Sequence, residues 1–122
     1  MQYLLLIYGD EAAGNERFQQ MSEEERNQNM GQWWGYTQAL QDAGVHLGGE
    51  ALQPSATAKT VAVEGGKPLV TDGPFAETKE QLGGFYLIDV PGEKEALDWA
   101  AKMPSHPHGR VEVRPVMVFD AE

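Results

Sequence analysis

Four titratable side chains crowd into nine positions of the segment LVTDGPFAETKEQLGGFYLIDV (69–90): Asp72, Glu77, Lys79 and Glu80. Two carboxylates flanking an ammonium can act in two ways. Exposed, Glu77, Lys79 and Glu80 would form an ion-pair network that pins a loop and contributes on the order of 0–1 kcal/mol. Partly buried, they would shift one another's pKa values, and that is how a general acid or base is made from ordinary side chains. Lys79 would also stabilise an oxyanion or enolate. The catalytic candidates are therefore Asp72 and Glu77, as acid/base or orienting groups, and Lys79 as the electrophilic or substrate-anchoring cation. Asp72-Gly73-Pro74-Phe75 has a structural reading as well. The Asp caps its own turn, Gly tolerates unusual dihedrals before Pro, Pro fixes φ, and Phe75 plugs the core.

Tyr8, His46, Glu50, Glu80 and Tyr86 form the candidate ligand-binding set. Tyr8 ends one apolar run and Tyr86 lies in another, so either hydroxyl can reach a pocket between sheet and helices. His46 and Glu50 are four apart in a strand pattern, which puts them on one face. A metal site would need a third ligand, and none stands at a recognisable spacing, so no metal is expected. His106 and His108 fall in a Pro-containing loop and read as surface residues. The glycines at 83–84 lack the spacing of a phosphate loop and do not open a helix, so no nucleotide cofactor is expected.

The chain has 122 residues, 41% of them hydrophobic and no cysteine. That length is one domain with a real core. The missing cysteines remove disulfides, thiolate ligands and a Cys nucleophile together. A net charge of −10, from 9 basic and 19 acidic residues, repels a phosphate backbone, and nucleic acid is not an expected partner. The opening MQYLLLIYGD is apolar but short and has no basic leader, so it reads as a buried strand. No window approaches a membrane span. The expectation is a cytoplasmic protein.

The candidate site needs elements to hold it. Residues 2–8 form a continuous apolar run, a strand buried on both faces. Residues 9–21 are polar, contain Gly9 and Gly14, and read as a loop, long enough to be a lid. Ser22 with Glu25 is a capping box opening a helix to about Ala43, with Met30, Trp33, Thr37 and Leu40 on one stripe and Gly44 as the terminator. Trp33 and Trp34 cannot both be core. Gly31 and Gly35 on one side of that helix imply a close neighbour or room for a ligand. VHLGGEAL (45–52) is a strand whose paired glycines signal a bulge or a close backbone approach. KTVAVE and KPLVTD flank Gly65-Gly66 as a hairpin. GFYLIDV (84–90) is again apolar on both faces. Residues 93–103 form a helix with Leu97, Ala100 and Ala101 inward, and 110–119 the last strand.

The order is β-α-β, an inserted hairpin, then β-α-β. This is an α+β, ferredoxin-like βαββαβ arrangement carrying an extra hairpin. Two helices cover only one face of its sheet, while two of its strands are apolar on both. A second copy of the sheet is the obvious cover, so a homodimer packed sheet to sheet is expected.

The block DGPFAETKEQLGGF (72–85), with GGEAL (48–52), the opening YLLLIYGDE and the closing VEVRPVM, resembles the DGPF group of the YCII-related proteins. The likeness spans nearly the whole chain and implies a dimeric α+β barrel. Enzymatic members of the wider family use a His on the first helix paired with an Asp. The helix read here at 23–43 has no histidine, so that lyase mechanism does not carry across, and any chemistry belongs to the DGPF block. Some members of the group are encoded beside, or fused to, extracytoplasmic-function sigma factors, which implies an alternative role as a non-catalytic protein-interaction module. The two functional readings are thus an enzyme or binder of a small molecule and a docking module, beside a third in which the block is purely structural and shapes the dimer.

Overall fold

A computed structural model of the chain describes residues 1–119. Its elements run β1 (Gln2–Asp10), α1 (Glu11–Gln20), α2 (Glu23–Asp42), β2 (His46–Ala51), a 3-10 turn (Ser55–Thr57), β3 (Lys59–Glu64), β4 (Lys67–Asp72), β5 (Glu80–Asp89), α3 (Glu93–Ala101) and β6 (Gly109–Pro115). Four strands form one antiparallel sheet in the order β2-β5-β1-β6, and β3 and β4 form a separate two-stranded sheet. With the hairpin set aside, this is the mixed α+β, ferredoxin-like order expected from the sequence.

Register decides which residues face the helices. Tyr3 pairs with Ile88, Leu5 with Tyr86 and Ile7 with Gly84. Across β6, Leu5 pairs with Val113 and Ile7 with Val111. Paired residues share a face, so this set forms the floor of the core. Tyr36 and Leu40 of α2 close it, together with Ala96 and Ala100 of α3. Leu5, Leu40, Ile88 and Met103 are fully buried, each contributing roughly 1.5–3 kcal/mol of transfer free energy. The opposite face carries Leu4 paired with Leu87 and Leu6 paired with Phe85. These four are only partly buried in the single chain.

The ends of α2 follow its sequence. Ser22 Oγ accepts from Glu25 N at 3.1 Å, while the Glu25 carboxylate accepts from Ser22 N at 3.2 Å. Gly44 takes φ +73 beyond the last turn. The hairpin has the expected strands, and Gly65 and Gly66 both adopt positive φ, as a two-residue hairpin turn requires.

Four local expectations are corrected. Residues 9–21 are not a loop lid, because 11–20 form α1. Asp10 is its N-cap, accepting from Ala13 N at 3.1 Å, with Glu11 in the first turn and Arg17 in the last. No residue of α1 is buried, so it had no apolar period to betray it. In α3 the inward residues are Ala96 and Ala100, while Leu97 is half exposed and Ala101 exposed. Small side chains let α3 approach the sheet closely, a role that hydrophobicity alone assigns to Leu97. In α2, Tyr36 replaces Met30 on the buried stripe, and Trp34 is exposed while Trp33 packs on the core. The last strand stops at Pro115, opposite Tyr3, because its partner β1 begins at Gln2; Val116 N makes the final bond, donating to Gln2 O at 2.9 Å.

Gly31 and Gly35 have open space where a side chain would stand, so nothing among the described residues packs against them. Gly49 is the opposite case. A Cβ there would stand 2.6 Å from the Phe85 carbonyl oxygen, the close approach its sequence signals.

Candidate functional site

The site begins at the turn leaving β4. Gly73 has φ +92, a region closed to most L side chains. Its N–H donates to Ala58 O at 2.7 Å, and its carbonyl accepts from the Thr60 hydroxyl at 2.8 Å. Pro74 then directs the chain away from the hairpin. At the far end of the loop the Thr78 hydroxyl donates to Glu80 O, and Gln81 Nε2 donates to Thr78 O at 2.7 Å. The loop is thus held at both ends, with residues 74–77 bridging between.

The facing wall comes from the start of α1. Asp10 and Glu11 stand where β1 passes into the helix, and the Glu11 carboxylate accepts from Ser55 N at 2.8 Å and from Ser55 Oγ at 2.6 Å. Between the walls lies a cleft of about 540 Å³, lined by Asp10, Glu11, Ser55, Pro74, Glu77 and Lys79 among others. A second cavity of about 300 Å³ shares Ser55, Pro74 and Gln81 with it and adds Leu52 and Leu82.

Of the predicted site residues, Glu77 and Lys79 line the cleft. Among the described residues neither has an ion-pair partner, and both are exposed in the single chain. The expected Glu77–Lys79–Glu80 network does not form. Glu80 instead faces Arg110 Nε at 3.6 Å. Asp72 is paired with Lys59 across the base of the hairpin, outside the cleft lining, rather than capping its own turn. Phe75 does not plug the core: it is 92% exposed, because the Gly73 turn carries the loop off the sheet.

His46 and Glu50 do not share a face. A bulge between His46 and Gly48 slips the register, so His46 pairs with Ile88 but Glu50 with Phe85. Ile88 and Phe85 are three apart on β5 and point to opposite sides. His46 therefore lies on the helix side, its ring 6.0 Å from that of Tyr86, while Glu50 is on the other face and exposed. No three His, Asp or Glu side chains converge among the described residues. The tyrosines separate in the same way. Tyr86 faces the helices, but Tyr8 pairs with Arg110 and lies on the face of Leu6. Of the loop histidines, both exposed, His106 has its Nε2 3.1 Å from Ala100 O at the end of α3.

The Tyr86 hydroxyl is committed too. It lies 2.6 Å from Thr37 Oγ1, which donates to Trp33 O at 3.1 Å, leaving Tyr86 as the donor to Thr37. Beside it the Tyr36 hydroxyl donates to Trp99 O at 2.7 Å, with the Tyr36 ring edge-on to Tyr86 and Trp99. Burial holds the Tyr36 phenol well above its usual range, and the neighbouring Tyr86 adds to the effect. This aromatic cluster is core, with its polar ends satisfied.

The residues missed from sequence are Asp10, Glu11 and Ser55. An Asp-Glu pair after an apolar strand is a helix-start signal, and would have revealed α1. The Glu11–Ser55 contact spans 44 positions and has no local signature.

No helix among the described residues is long and apolar enough to cross a membrane. An uncharacterised protein of Rhizobium meliloti (strain 1021) is 40% identical over 122 residues, covering 98% of this chain and 94% of that relative. The family profile of the YCII-related domain matches residues 1–120, and with the ferredoxin-like strand order and the DGPF turn in place, the chain belongs to the YCII-related domain family.

Proposed function

We propose that the cleft binds a small organic molecule and that its chemistry is metal-independent acid/base catalysis, a proton abstraction or elimination. One observation carries this: Glu77 and Lys79, a carboxylate and an ammonium, line the same cavity of about 540 Å³ with no ion-pair partner among the described residues. A brace is paired, as Asp72 is to Lys59 and Glu80 to Arg110. An acid and a base left free at a cavity are available to a ligand. The volume falls in the range of roughly 300–1,000 Å³ usual for small-molecule sites. Glu77 takes the role of general acid or base, and Lys79 anchors an anionic group or stabilises developing negative charge. Asp72 and Glu80 then orient the loop that carries them.

The site would work in a homodimer. Support comes from the second face of the sheet, where Leu4, Leu6, Phe85 and Leu87 form an apolar centre that no helix among the described residues covers. Arg110, Glu112 and Arg114 rim it on the β6 side, where Arg114 pairs with Glu112 and Arg110 faces Glu80, and Glu50 stands on the β2 side; the rim charges are thus largely matched within the chain, and the apolar centre carries the dimer reading.

The test is a ¹⁵N-resolved titration of the protein with a panel of small organic acids. The expected result is a set of shifts confined to residues 10–12, 55 and 73–79 that Lys79→Met abolishes. If no acid moves those signals, or Lys79→Met binds equally well, the reading is wrong. Phe75, 92% exposed beside exposed Glu77 and Lys79, favours a second reading, a protein-docking module. In that case a folded partner, and no small molecule, perturbs the same loop together with Phe75.

A further inference from the structure

The β3–β4 hairpin exposes apolar side chains on both faces. Val61 pairs with Val70 and Val63 with Pro68 on one face, and Ala62 pairs with Leu69 on the other. Val61, Val63, Leu69 and Val70 are 50–70% exposed. A two-stranded hairpin alone in water is marginal, and uncovered apolar strand edges invite association. Within the chain its ties are at its base: the Lys59–Asp72 ion pair, and Gly73 bonded back to Ala58 and Thr60.

The whole chain is similarly overexposed. Its accessible surface is 8898 Å², whereas a compact 13.4 kDa monomer has about 6,500 Å². The excess of about 2,400 Å² matches what one partner contributes to the larger obligate homodimers. Charge narrows the occupant further. The chain carries −10, but residues 59–72 are balanced, with Lys59 and Lys67 against Glu64 and Asp72. Like-charged copies can meet there without repulsion. A basic protein would be drawn instead to the acidic first turn of α2 (Glu23, Glu24, Glu25), and an anionic membrane would be repelled.

We propose that the hairpin of each protomer is an arm that docks on a second copy of this chain, and that this docking sets the wall of the cleft. The arm is a separate surface from the apolar sheet face. The coupling follows from connectivity. β4 leads directly into Gly73 and Pro74, which line the cleft with Glu77 and Lys79, and Ala58, just before β3, lines the adjoining cavity. Fixing the arm fixes both strands of the support from which the loop 73–79 departs. The site is therefore complete only in the dimer, and a cleft ligand and the dimer contact strengthen each other by the same factor. Only this last step rests on the ligand-binding reading above.

The experiment combines sedimentation velocity with amide hydrogen exchange over a hundredfold dilution. It compares wild type with V61K/V70E, which replaces a cross-strand apolar pair by an opposite-charge pair that keeps the hairpin paired. Leu69→Thr probes the other face. Wild type is expected to sediment as a dimer with residues 73–79 protected. The double variant is expected to be monomeric at micromolar concentration, with 73–79 exchanging at least tenfold faster and α2, on the helix side of the core, unchanged. A monomeric wild type at 100 μM overturns the proposal, as does a V61K/V70E dimer with unaltered exchange. A monomeric double variant whose 73–79 exchange stays at the wild-type rate overturns the coupling of arm to cleft. None of these readouts uses a ligand, so failure of the small-molecule reading leaves them intact.

Discussion

Glu11 accepts both the backbone N–H and the hydroxyl of Ser55, at 2.8 and 2.6 Å, across 44 positions of sequence. This ties the first turn of α1 to the 3-10 turn before the hairpin, and it is the contact that gives the cleft a back wall. Hydrogen bonds to a charged group contribute about 1.5–3 kcal/mol, less where water competes. Glu11→Gln keeps one acceptor oxygen and Ser55→Ala keeps the N–H. Each should cost about 1 kcal/mol, or a few degrees in Tm for a domain of this size. A double-mutant cycle by chemical denaturation should return a coupling of 0.5 kcal/mol or more, as an order of magnitude. Strict additivity would mean that the two groups do not cooperate in solution.

The charged block divides into a brace and free groups. Asp72 is bonded to Lys59, but both are largely exposed, so Asp72→Asn should cost only about 0–1 kcal/mol, and the loss should vanish at high salt. Glu77→Gln and Lys79→Met remove no ion pair among the described residues and should leave the melting temperature unchanged or raise it, as functional groups held at some cost to stability do. Thermal melts at one fixed protein concentration check all three. A drop of many degrees for Glu77→Gln or Lys79→Met would make the block a structural support and remove the basis of the proposed site.

Much of this arrangement is written locally. The capping box at Ser22 and Glu25, the Gly65-Gly66 turn and the two-sided apolar runs at 2–8 and 84–90 each follow from a few adjacent residues, and together they define the βαββαβ order with its insert. What escaped depends on tertiary geometry. The bulge after His46 adds one residue to β2 and turns Glu50 to the other face, and strand spacing alone assigns the pair to one side. α1 buries nothing, so no periodicity marks it. The candidate site was half legible for the same reason. Glu77 and Lys79 stand out by composition, but Asp10, Glu11 and Ser55 join them only because the chain returns there.

The packing of α3 is open to a direct contrast. Leu40 is fully buried, and Leu40→Ala should cost about 2–5 kcal/mol through lost transfer energy and the cavity left behind. Leu97 is 50% exposed, so Leu97→Ala should cost well under about 1 kcal/mol despite the identical change in side chain. Ala96, with no exposure, faces the sheet, and Ala96→Leu should lose about 1–3 kcal/mol by overpacking. Urea midpoints rank the three. If Leu97→Ala proves as damaging as Leu40→Ala, either the helix is rotated relative to the sheet or Leu97 is covered in an assembly.

Tyr36 supplies a pH dependence whose sign can be worked out. Burial, with Tyr86 beside it, raises its folded-state pKa above the ordinary value near 10. The unfolded chain therefore releases this proton at lower pH than the folded one. The resulting stabilisation is fully present below about pH 10 and is lost as pH rises from there toward the raised folded value. Tyr36→Phe removes the titration, but it also leaves the Trp99 carbonyl without its 2.7 Å hydrogen bond, at about 1–2 kcal/mol. Wild type should therefore be the more stable at pH 7, and its advantage should shrink steadily above pH 10. Urea midpoints for both proteins at pH 7, 9, 10.5 and 11 measure the two slopes. Parallel slopes across that range would show that Tyr36 ionises as freely in the folded protein as in the unfolded chain.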